Sequence, residues 1–336
     1  WNQTDFKAFQ NMMLNIFYPI NSGWLANKLY LTSYANWALC TSASILAIGV
    51  VTDNQTIFNE ALSYLKTGYT NGALGKSIYF IHPGYLGQGQ EVGRDQGHNT
   101  LNVAHLGAIA EMAWNQGVDL YSYGNNRILS NAEYTAKINL WNNDANTWYD
   151  APFVNWMYFN WPAQINQQGI SWQSRGMWRA CWASIYHHYV NRKGLDAPWT
   201  GKMMKLIAPD SGACCGGSSG AYDQLGLQTL TFTRDPYTIV TPPSNLLGVI
   251  SSGSGLLQWW GSINATSYNV KRGTASGGPY TTIANVSAGA ELYYIDSGLS
   301  SGAYYYVVTA VLPSGETQPS NEVRIAYDTR IQEIYL

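Results

Sequence analysis

The stretch DPYTIVTPPS, residues 235–244, divides the chain into two regions with different hydrophobic periodicity. Before it, apolar residues recur at three- and four-residue spacing, which is typical of amphipathic helices. After it, apolar and polar residues alternate between turns rich in Gly, Ser and Asn, which is typical of β-strands. We therefore predict a helical domain over residues 1–236, a linker over 237–242, an all-β domain over 243–328 and a tail over 329–336.

Six segments of the first region carry the helical pattern. Connections rich in Gly, Asn and aromatic residues separate them, and long loops of that kind often carry binding function. The predicted helices are Phe6–Ile20, Trp37–Val51, Ile57–Leu65, Leu101–Trp114, Ala132–Leu140 and Trp178–Val190.

Composition excludes several classes of protein. Of the 336 residues, 46% are hydrophobic and only 11% are charged, so the chain can bury a core and is not a disordered polyelectrolyte. A net charge of −2 without a Lys/Arg block argues against nucleic acid and against an anionic membrane surface as partners. No apolar run reaches the ~20 residues that span a bilayer. The four cysteines lack the spacing of a zinc site.

Four Asn-x-Ser/Thr sequons suggest glycosylation and therefore export from the cell. They begin at Asn2, Asn54, Asn264 and Asn285. Together with the low charge and the many Trp and Tyr residues, they lead us to expect a secreted, extracellular glycoprotein.

The densest polar cluster is QEVGRDQGHN, residues 90–99, which runs directly into the predicted helix that contains Leu101. Asp95 or Asn99 can cap that helix. His98 then lies near the first turn, where the positive end of the helix disfavours a charged imidazole. A neutral His98 can accept a proton as a general base. The alternative is a histidine that serves only as a hydrogen-bonding residue at the helix start.

A second cluster is SRGMWRACWASIYHHY, residues 174–189. In a continuous helix, Arg175, Arg179 and Tyr186 are separated by four and seven residues and face one groove. Alternatively, Arg179 pairs with a carboxylate and Tyr186 packs in the core. A third candidate is Asn36, at the start of the helix that ends at Val51, where a capping role is also sufficient.

The β region resembles a fibronectin type III module. The resemblance covers residues 243–328 and rests on Leu257-x-Trp259, Ser267–Arg272, Tyr304–Val311 and Ser320–Val323. It implies that Trp259 is the core tryptophan and Tyr304 the corner tyrosine. No residue pattern in the module indicates catalysis, so we expect a spacer or an accessory contact surface.

The helical region resembles the alginate lyase-like polysaccharide lyases. The matching stretches are ANW at 35–37, GRDQGH at 93–98, AWNQGVDLY at 113–121, SRG at 174–176 and YHHYVNRKGL at 186–195. The resemblance implies a mainly α fold, an incomplete (α/α) toroid of paired helices. A complete toroid needs more helices than this region supplies, so we expect an upstream helical portion of the same precursor.

The same resemblance implies a set of catalytic residues. Asn36 would hold the uronate carboxylate, His98 would act as base with Arg179 nearby, and Tyr186 would act as acid. Tyr149 and Tyr189 are rivals for the acid, because His187 and Ala180 depart from the family pattern around Tyr186. The residues expected to contact substrate are Trp37, Arg94, Gln96, Arg175, His188 and Tyr189.

The resemblance implies a lyase that cleaves a 1,4-linked uronan, such as mannuronate-rich alginate or glucuronan, by β-elimination. The expected partner is thus an acidic polysaccharide, and no metal or organic cofactor is implied. One alternative is a glycoside hydrolase, which needs two carboxylates such as Glu91 and Asp95. Another is a carbohydrate-binding protein without catalysis.

Overall fold

A computed structural model describes residues 2–26, 34–68, 70–160, 163–210, 226–297 and 299–328. The chain forms two compact units. The first comprises Trp1–Ile81, Gly87–Ile185 and Trp199–Thr233, and the second comprises His82–Leu86, Tyr186–Pro198 and Arg234–Leu336. Within the described residues, no helix is both long and apolar enough to cross a membrane.

The first unit is mainly helical, as the periodicity predicts. Its helices are α1 (Gln3–Met12), α2 (Tyr18–Ala26), α3 (Ala35–Val51), α4 (Gln55–Thr67), α5 (Leu74–Ser77), α6 (Gln96–Asn115), α7 (Tyr123–Ile138), α8 (Trp182–Tyr186), α9 (Pro198–Ile207) and α10 (Gln228–Phe232). A π-helical turn, Met13–Phe17, joins α1 to α2, and another, His187–Arg192, follows α8.

Three short antiparallel strand pairs interrupt the helices. They are β1 (Ile78–His82) with β2 (Leu86–Gly89), β3 (Trp141–Asn142) with β4 (Thr147–Trp148), and β5 (Trp156–Asn160) with β6 (Ala163–Gln167).

The core of the first unit lies where α3 packs against α4 and α6. Leu39, Ile45 and Leu46 of α3 are fully buried. Gly49 lets α3 and α4 approach closely, because a Cβ there would lie 2.6 Å from the backbone nitrogen of Phe58. The predicted helices over Trp37–Val51, Ile57–Leu65 and Leu101–Trp114 thus lie within α3, α4 and α6.

One predicted helix is wrong at its start. The segment Trp178–Val190 becomes helical only at Trp182, so Arg175 and Arg179 precede α8 and do not share a helical face with Tyr186. On either side of Arg175, Ser174 and Gly176 adopt φ of 57° and 81°, in the left-handed region that a right-handed helix excludes. The carbonyl oxygen of Arg179 accepts the backbone N–H of Cys181 at 2.8 Å, two residues on, whereas an α-helix requires the N–H four residues on.

The second unit contains an antiparallel β-sandwich. Its strands are β7 (Ser244–Ser251), β8 (Ser254–Trp260), β9 (Ser267–Gly273), β10 (Thr281–Ser287), β11 (Tyr293–Asp296), β12 (Gly302–Leu312), β13 (Gly315–Glu316) and β14 (Val323–Tyr327). One sheet has the order β11-β8-β7; the other has the order β10-β9-β12-β13, with β14 also paired to β12.

Two assignments in the module are confirmed: Trp259 as the core tryptophan and Tyr304 as the corner tyrosine. Trp259 is buried in the core between the sheets with Tyr268 and Tyr306. The hydroxyl of Tyr304 donates to the carbonyl oxygen of Ser300 at 3.1 Å, the contact of a corner tyrosine. The predicted fold class is therefore confirmed: a mainly α part is followed by a sandwich that resembles a fibronectin type III module.

The segment His82–Leu86 contributes an aromatic contact to the second unit. The ring of Tyr85 stacks on Trp260 with 4.5 Å between the ring centroids, and its hydroxyl donates to the carbonyl oxygen of Asn245 at 2.7 Å. Tyr85 is only 3% exposed. This side chain thus completes the packing beside β7 and β8.

We expect Tyr85→Ala to destabilise the second unit by about 3–5 kcal/mol, because it removes a buried ring and leaves a cavity. Tyr85→Phe keeps the ring and loses one hydrogen bond, so its cost should be about 1 kcal/mol. Hydrogen exchange of the β8 amides in the full chain measures both effects. Unchanged protection in Tyr85→Ala would show that this contact does not support the sandwich.

Candidate active site

The residues 90–99 bring two helix starts of the first unit together. Asp95 is the N-cap of α6, and its Oδ1 accepts the backbone N–H of His98 at 2.8 Å. Glu91 performs a similar task for α3, because its Oε1 accepts the backbone N–H of Asn36 at 3.0 Å. A negative group at each positive helix end is favourable. Two carboxylates four residues apart therefore anchor α3 and α6.

Asn36 is not the cap of α3. Tyr34 occupies that position but does not cap the helix with its side chain, and Asn36 lies inside the first turn. The Asn36 side chain is buried, and its Nδ2 donates to Glu91 Oε2 at 3.0 Å. The carboxylate of Glu91, and not Asn36, thus caps α3, and it also accepts a hydrogen bond from the Asn36 side-chain amide.

His98 is oriented by Asp95. Nδ1 of His98 lies 2.6 Å from Asp95 Oδ2, so the Nδ1 proton is donated to the carboxylate and Nε2 is left with its lone pair. The His98 side chain is 38% exposed. The imidazole of the expected base is therefore partly accessible to solvent.

Arg94 lies between the two carboxylates and the imidazole. Its Nη1 donates to Glu91 Oε2 at 3.2 Å, and its Nη2 is 3.3 Å from Nε2 of His98. Its guanidinium also stacks on the ring of Tyr34, with 3.5 Å from Cζ to the ring centroid. We call Tyr34, Asn36, Glu91, Arg94, Asp95 and His98 the Arg94–His98 cluster.

The two acids of the cluster have opposite pKa shifts. Burial raises the pKa of Glu91, although the Asn36 N–H and the charge of Arg94 favour its ionised form. Burial also disfavours ionisation of Asp95, but the hydrogen bonds from the side chain and backbone of His98 outweigh it and lower the pKa of Asp95.

The two arginines of the second sequence cluster, Arg175 and Arg179, both donate hydrogen bonds to backbone carbonyl oxygens. Arg179 is 1% exposed, and its Nη2 donates to the carbonyl oxygen of Gly97 at 3.0 Å, so it supports the first turn of α6. Arg175 donates from Nε to the carbonyl oxygen of Ile138 and from Nη2 to that of Tyr149, both at 2.8 Å.

Gln96 and Trp37, two predicted substrate contacts, differ in accessibility. Gln96 is fully buried; its Nε2 donates to the carbonyl oxygen of Val92, and its Oε1 accepts from Asn99 and Asn139. Trp37 is 56% exposed next to Asn36, with its ring edge-to-face against Tyr34. Only Trp37 of this pair offers a surface to a ligand.

Tyr186, His188 and Tyr189 belong to the second unit. His188 and Tyr189 are buried, and His188 Nδ1 lies 3.1 Å from Nη1 of Arg192. Tyr186 is half-buried, and burial raises its pKa. Its predicted role as acid, with Tyr149 and Tyr189 as rivals, stays a prediction.

The roles of Tyr34 and of Glu91 at the start of α3 were not predicted, whereas Asp95 was one of the two capping candidates for α6 and is its N-cap. A local signal exists: Glu91 and Arg94, and Asp95 and His98, are pairs of opposite type at a spacing of three residues. Side chains with that spacing meet at a helix start. The stacking of Tyr34 on Arg94 joins residues 60 positions apart and has no such signal.

The comparison with protein families agrees with the position of this cluster. Residues 1–145 match the model of the alginate lyase family. The match contains the whole Arg94–His98 cluster. No curated protein matches the sequence.

Outside the alginate lyase-family region, the C-terminal part of the chain is similar to several solved structures. An Fn3-like protein from Clostridium thermocellum is 37% identical over 29% of this chain and 100% of its own, with a TM-score of 0.25. Pectate lyase Pel3 from Pectobacterium carotovorum is 21% identical over 24% of this chain and 26% of its own, with a TM-score of 0.23. The twitchin kinase region from C. elegans is 18% identical over 26% of this chain and 17% of its own, with a TM-score of 0.24.

The hydrogen bond from His98 to Asp95 makes a pH-dependent contribution to stability. The pKa of Asp95 lies below its ordinary value of 3.8. The ionised carboxylate therefore stabilises the folded state at neutral pH, and this contribution is lost as the pH falls through the lowered pKa.

We expect Asp95→Asn to lower the free energy of unfolding by about 1–2 kcal/mol at pH 7, because an amide keeps the cap but loses a charge-assisted hydrogen bond. The difference from the natural chain should shrink as the pH falls below about 4. Chemical unfolding followed by tryptophan fluorescence measures it. Asp144→Asn, in the β3–β4 turn, is the control; an equal effect in both variants would contradict the assignment.

Proposed function

We propose that this protein is a secreted lyase that cleaves a 1,4-linked uronic-acid polymer by β-elimination. The observation that carries the proposal is the contact between Arg94 Nη2 and His98 Nε2 at 3.3 Å, with Nδ1 of the same imidazole held by Asp95. The match of this region to the alginate lyase family supports it. Exposed sequon residues Asn2, Asn264 and Asn285 are consistent with a secreted glycoprotein.

The substrate chemistry requires a base and a cation side by side. In a uronic acid, C5 carries both the carboxylate and the proton that is removed. The proton is weakly acidic while the carboxylate keeps its full negative charge, so a positive group must offset that charge in the transition state. A base next to the guanidinium that holds the carboxylate meets this requirement.

In the proposed reaction, His98 Nε2 takes the C5 proton and becomes protonated. The C5–H electron pair forms the C4–C5 double bond, and the C4–O bond breaks toward the leaving oxygen. A tyrosine hydroxyl donates a proton to that oxygen, and the tyrosinate later recovers a proton from solvent. No electrons are gained or lost overall. Asp95 keeps Nδ1 hydrogen-bonded while His98 is charged.

We assign the role of binding the substrate's uronate carboxylate to Arg94 in place of Arg179. Arg94 is partly exposed beside His98, whereas Arg179 is buried against the first turn of α6. The acid is proposed from the sequence pattern alone: Tyr186, with Tyr149 and Tyr189 as rivals. Burial raises the pKa of Tyr186 above the ordinary 10.0, so its hydroxyl carries a proton at neutral pH.

The structure does not favour a glycoside hydrolase built on Glu91 and Asp95. A hydrolase of that kind needs two carboxylates that flank the sugar bond and are accessible to it. Here, both oxygens of Glu91 accept from Asn36, and both oxygens of Asp95 accept from His98. Each carboxylate is buried and already serves a helix start.

We expect ultraviolet absorbance to rise when the protein acts on one of four polymers, polymannuronate, polyguluronate, glucuronan or chondroitin, because β-elimination leaves a conjugated uronate at the new chain end. The rise should persist with a chelator, because the proposed base is an imidazole. Reducing ends released without a rise in absorbance would favour a hydrolase. Binding without either signal would favour a carbohydrate-binding protein.

His98→Ala should lower kcat by about 10²–10⁴-fold, because a general base contributes that much. Arg94→Ala should lower kcat by about 10²–10³-fold through loss of charge stabilisation. Initial rates of absorbance measure both. His105→Ala removes another imidazole of α6 and should keep most activity. Near-full turnover in His98→Ala would make the site assignment wrong even if the lyase activity is real.

Tyr186→Phe, Tyr34→Phe and Tyr149→Phe separate the candidate acids. We expect the largest loss of kcat, about 10²-fold or more, in Tyr186→Phe, because the hydroxyl that protonates the leaving oxygen is removed. Tyr34→Phe keeps the ring beneath Arg94 and should be milder. A larger loss in Tyr34→Phe than in Tyr186→Phe would move the acid to the Arg94–His98 cluster.

A further inference from the structure

A row of aromatic rings and cations extends from the residues next to His98 across the first unit. We call it the aromatic–cation row. Its members are Trp172, Arg175, Trp148, Tyr149, Trp199 and Lys202.

The row is connected by short contacts. Arg175 Cζ lies 4.8 Å from the ring centroid of Trp172 and 5.8 Å from that of Trp148. Its Nη2 donates to the carbonyl oxygen of Tyr149, whose ring is 4.7 Å from that of Trp199. Nζ of Lys202 lies 4.2 Å from the Trp199 ring centroid. Arg175 thus contacts Trp172 and Trp148 at one end of the row, and Lys202 contacts Trp199 at the other.

One end of the row is tied to the segment that carries Arg94 and His98. The backbone N–H of Gln96 donates to the carbonyl oxygen of Gln173 at 2.9 Å, and that of Ser171 donates to the carbonyl oxygen of Val92 at 3.0 Å. Trp172 lies between these two contacts. Its position next to the Arg94–His98 cluster is therefore fixed by backbone hydrogen bonds.

Core packing does not account for the row. Trp172 is 69% exposed, and Lys202 is also exposed. The whole chain has only 18 Lys and Arg residues, and three of them lie over rings of the row: Arg175, Lys202 and the buried Lys137, whose Nζ is 5.5 Å from the Trp199 ring centroid. The negative charge of Asp150 acts on Arg175.

We propose that the aromatic–cation row is a binding track for an anionic polysaccharide chain that leads to His98. The proposal rests on the function proposed above and extends it from one sugar to a run of sugars. Each uronic acid has an apolar C–H face, which stacks on an aromatic ring, and a carboxylate, which pairs with a cation. A neutral glycan would use the rings alone.

The track predicts that the KM for a long polymer depends on the whole row. Cleavage of a short oligosaccharide should not depend on the end of the row that lies away from His98. Trp172→Ala should raise KM for polymannuronate about threefold to tenfold, the usual weight of one aromatic contact, with kcat preserved. Trp172→Phe should restore most of the loss. Lys202→Ala should raise KM by about threefold at low salt and less at high salt, because screening weakens the charge contact. A mannuronate trisaccharide should be cleaved equally by Lys202→Ala and the natural chain, because Lys202 lies at the end of the row away from His98.

Lys66→Ala is the matched control. Lys66 also lies over an aromatic ring of the first unit, 5.9 Å from the centroid of Tyr123, but outside the row. Lys66→Ala should leave the kinetics on both polymannuronate and the trisaccharide unchanged. Polymer and trisaccharide kinetics that are identical in Trp172→Ala, Lys202→Ala and the natural chain would overturn the track and leave the lyase function standing.

If no polymer is cleaved, the proposed function fails and the track is tested by binding. Affinity electrophoresis in gels with polymannuronate or with neutral mannan then decides. Retardation by polymannuronate but not mannan, lost in Trp172→Ala and Lys202→Ala and kept in Lys66→Ala, supports the track. Absence of retardation, or equal retardation by mannan, overturns it.

Discussion

The carboxylates of Glu91 and Asp95 hold the N-termini of α3 and α6 through backbone hydrogen bonds at 3.0 and 2.8 Å. Because only four residues separate them, the two helix starts must meet at one place in the first unit. A buried acid is costly unless its oxygens are satisfied, and the unpaired N–H groups of a helix end supply that need. The same contacts place Arg94 and His98 side by side.

This arrangement lets one set of interactions serve both folding and chemistry. Asp95 caps α6 with one oxygen and orients the imidazole of His98 with the other. Glu91 anchors α3 with one oxygen and holds the Asn36 amide with the other, which also accepts from Arg94. A change at either acid therefore affects helix stability and the geometry of the site together.

The sequence predicted the parts that depend on local pattern. Periodicity located α3, α4 and α6, and alternation with turn spacing located the sandwich and its core Trp259. His98 and Arg94 were predicted because polar residues converge on a helix start. Asp95 was one of two capping candidates. These features depend on neighbours within a few residues.

The sequence could not predict contacts between distant segments. Glu91 caps a helix 55 residues away, and Tyr34 stacks on Arg94 across 60 residues. The helix expected from Trp178 begins only at Trp182, because the backbone before it forms a turn in which Arg179 accepts from Cys181, and periodicity does not report such turns. Arg179 matched a motif and yet lies in the core, since residue type alone does not indicate burial.

The second unit is assembled from three stretches of the chain, and Tyr85 comes from the first of them. A peptide-bond cut in residues 233–243 would leave Tyr85 and its stacking partner Trp260 on different fragments. Gene fusion or domain exchange at this junction would likewise separate the ring from the strands that it covers. The β-sandwich of this protein therefore cannot be transferred to another protein without losing a packing contact. Its evolution depends on residues encoded far upstream of its strands.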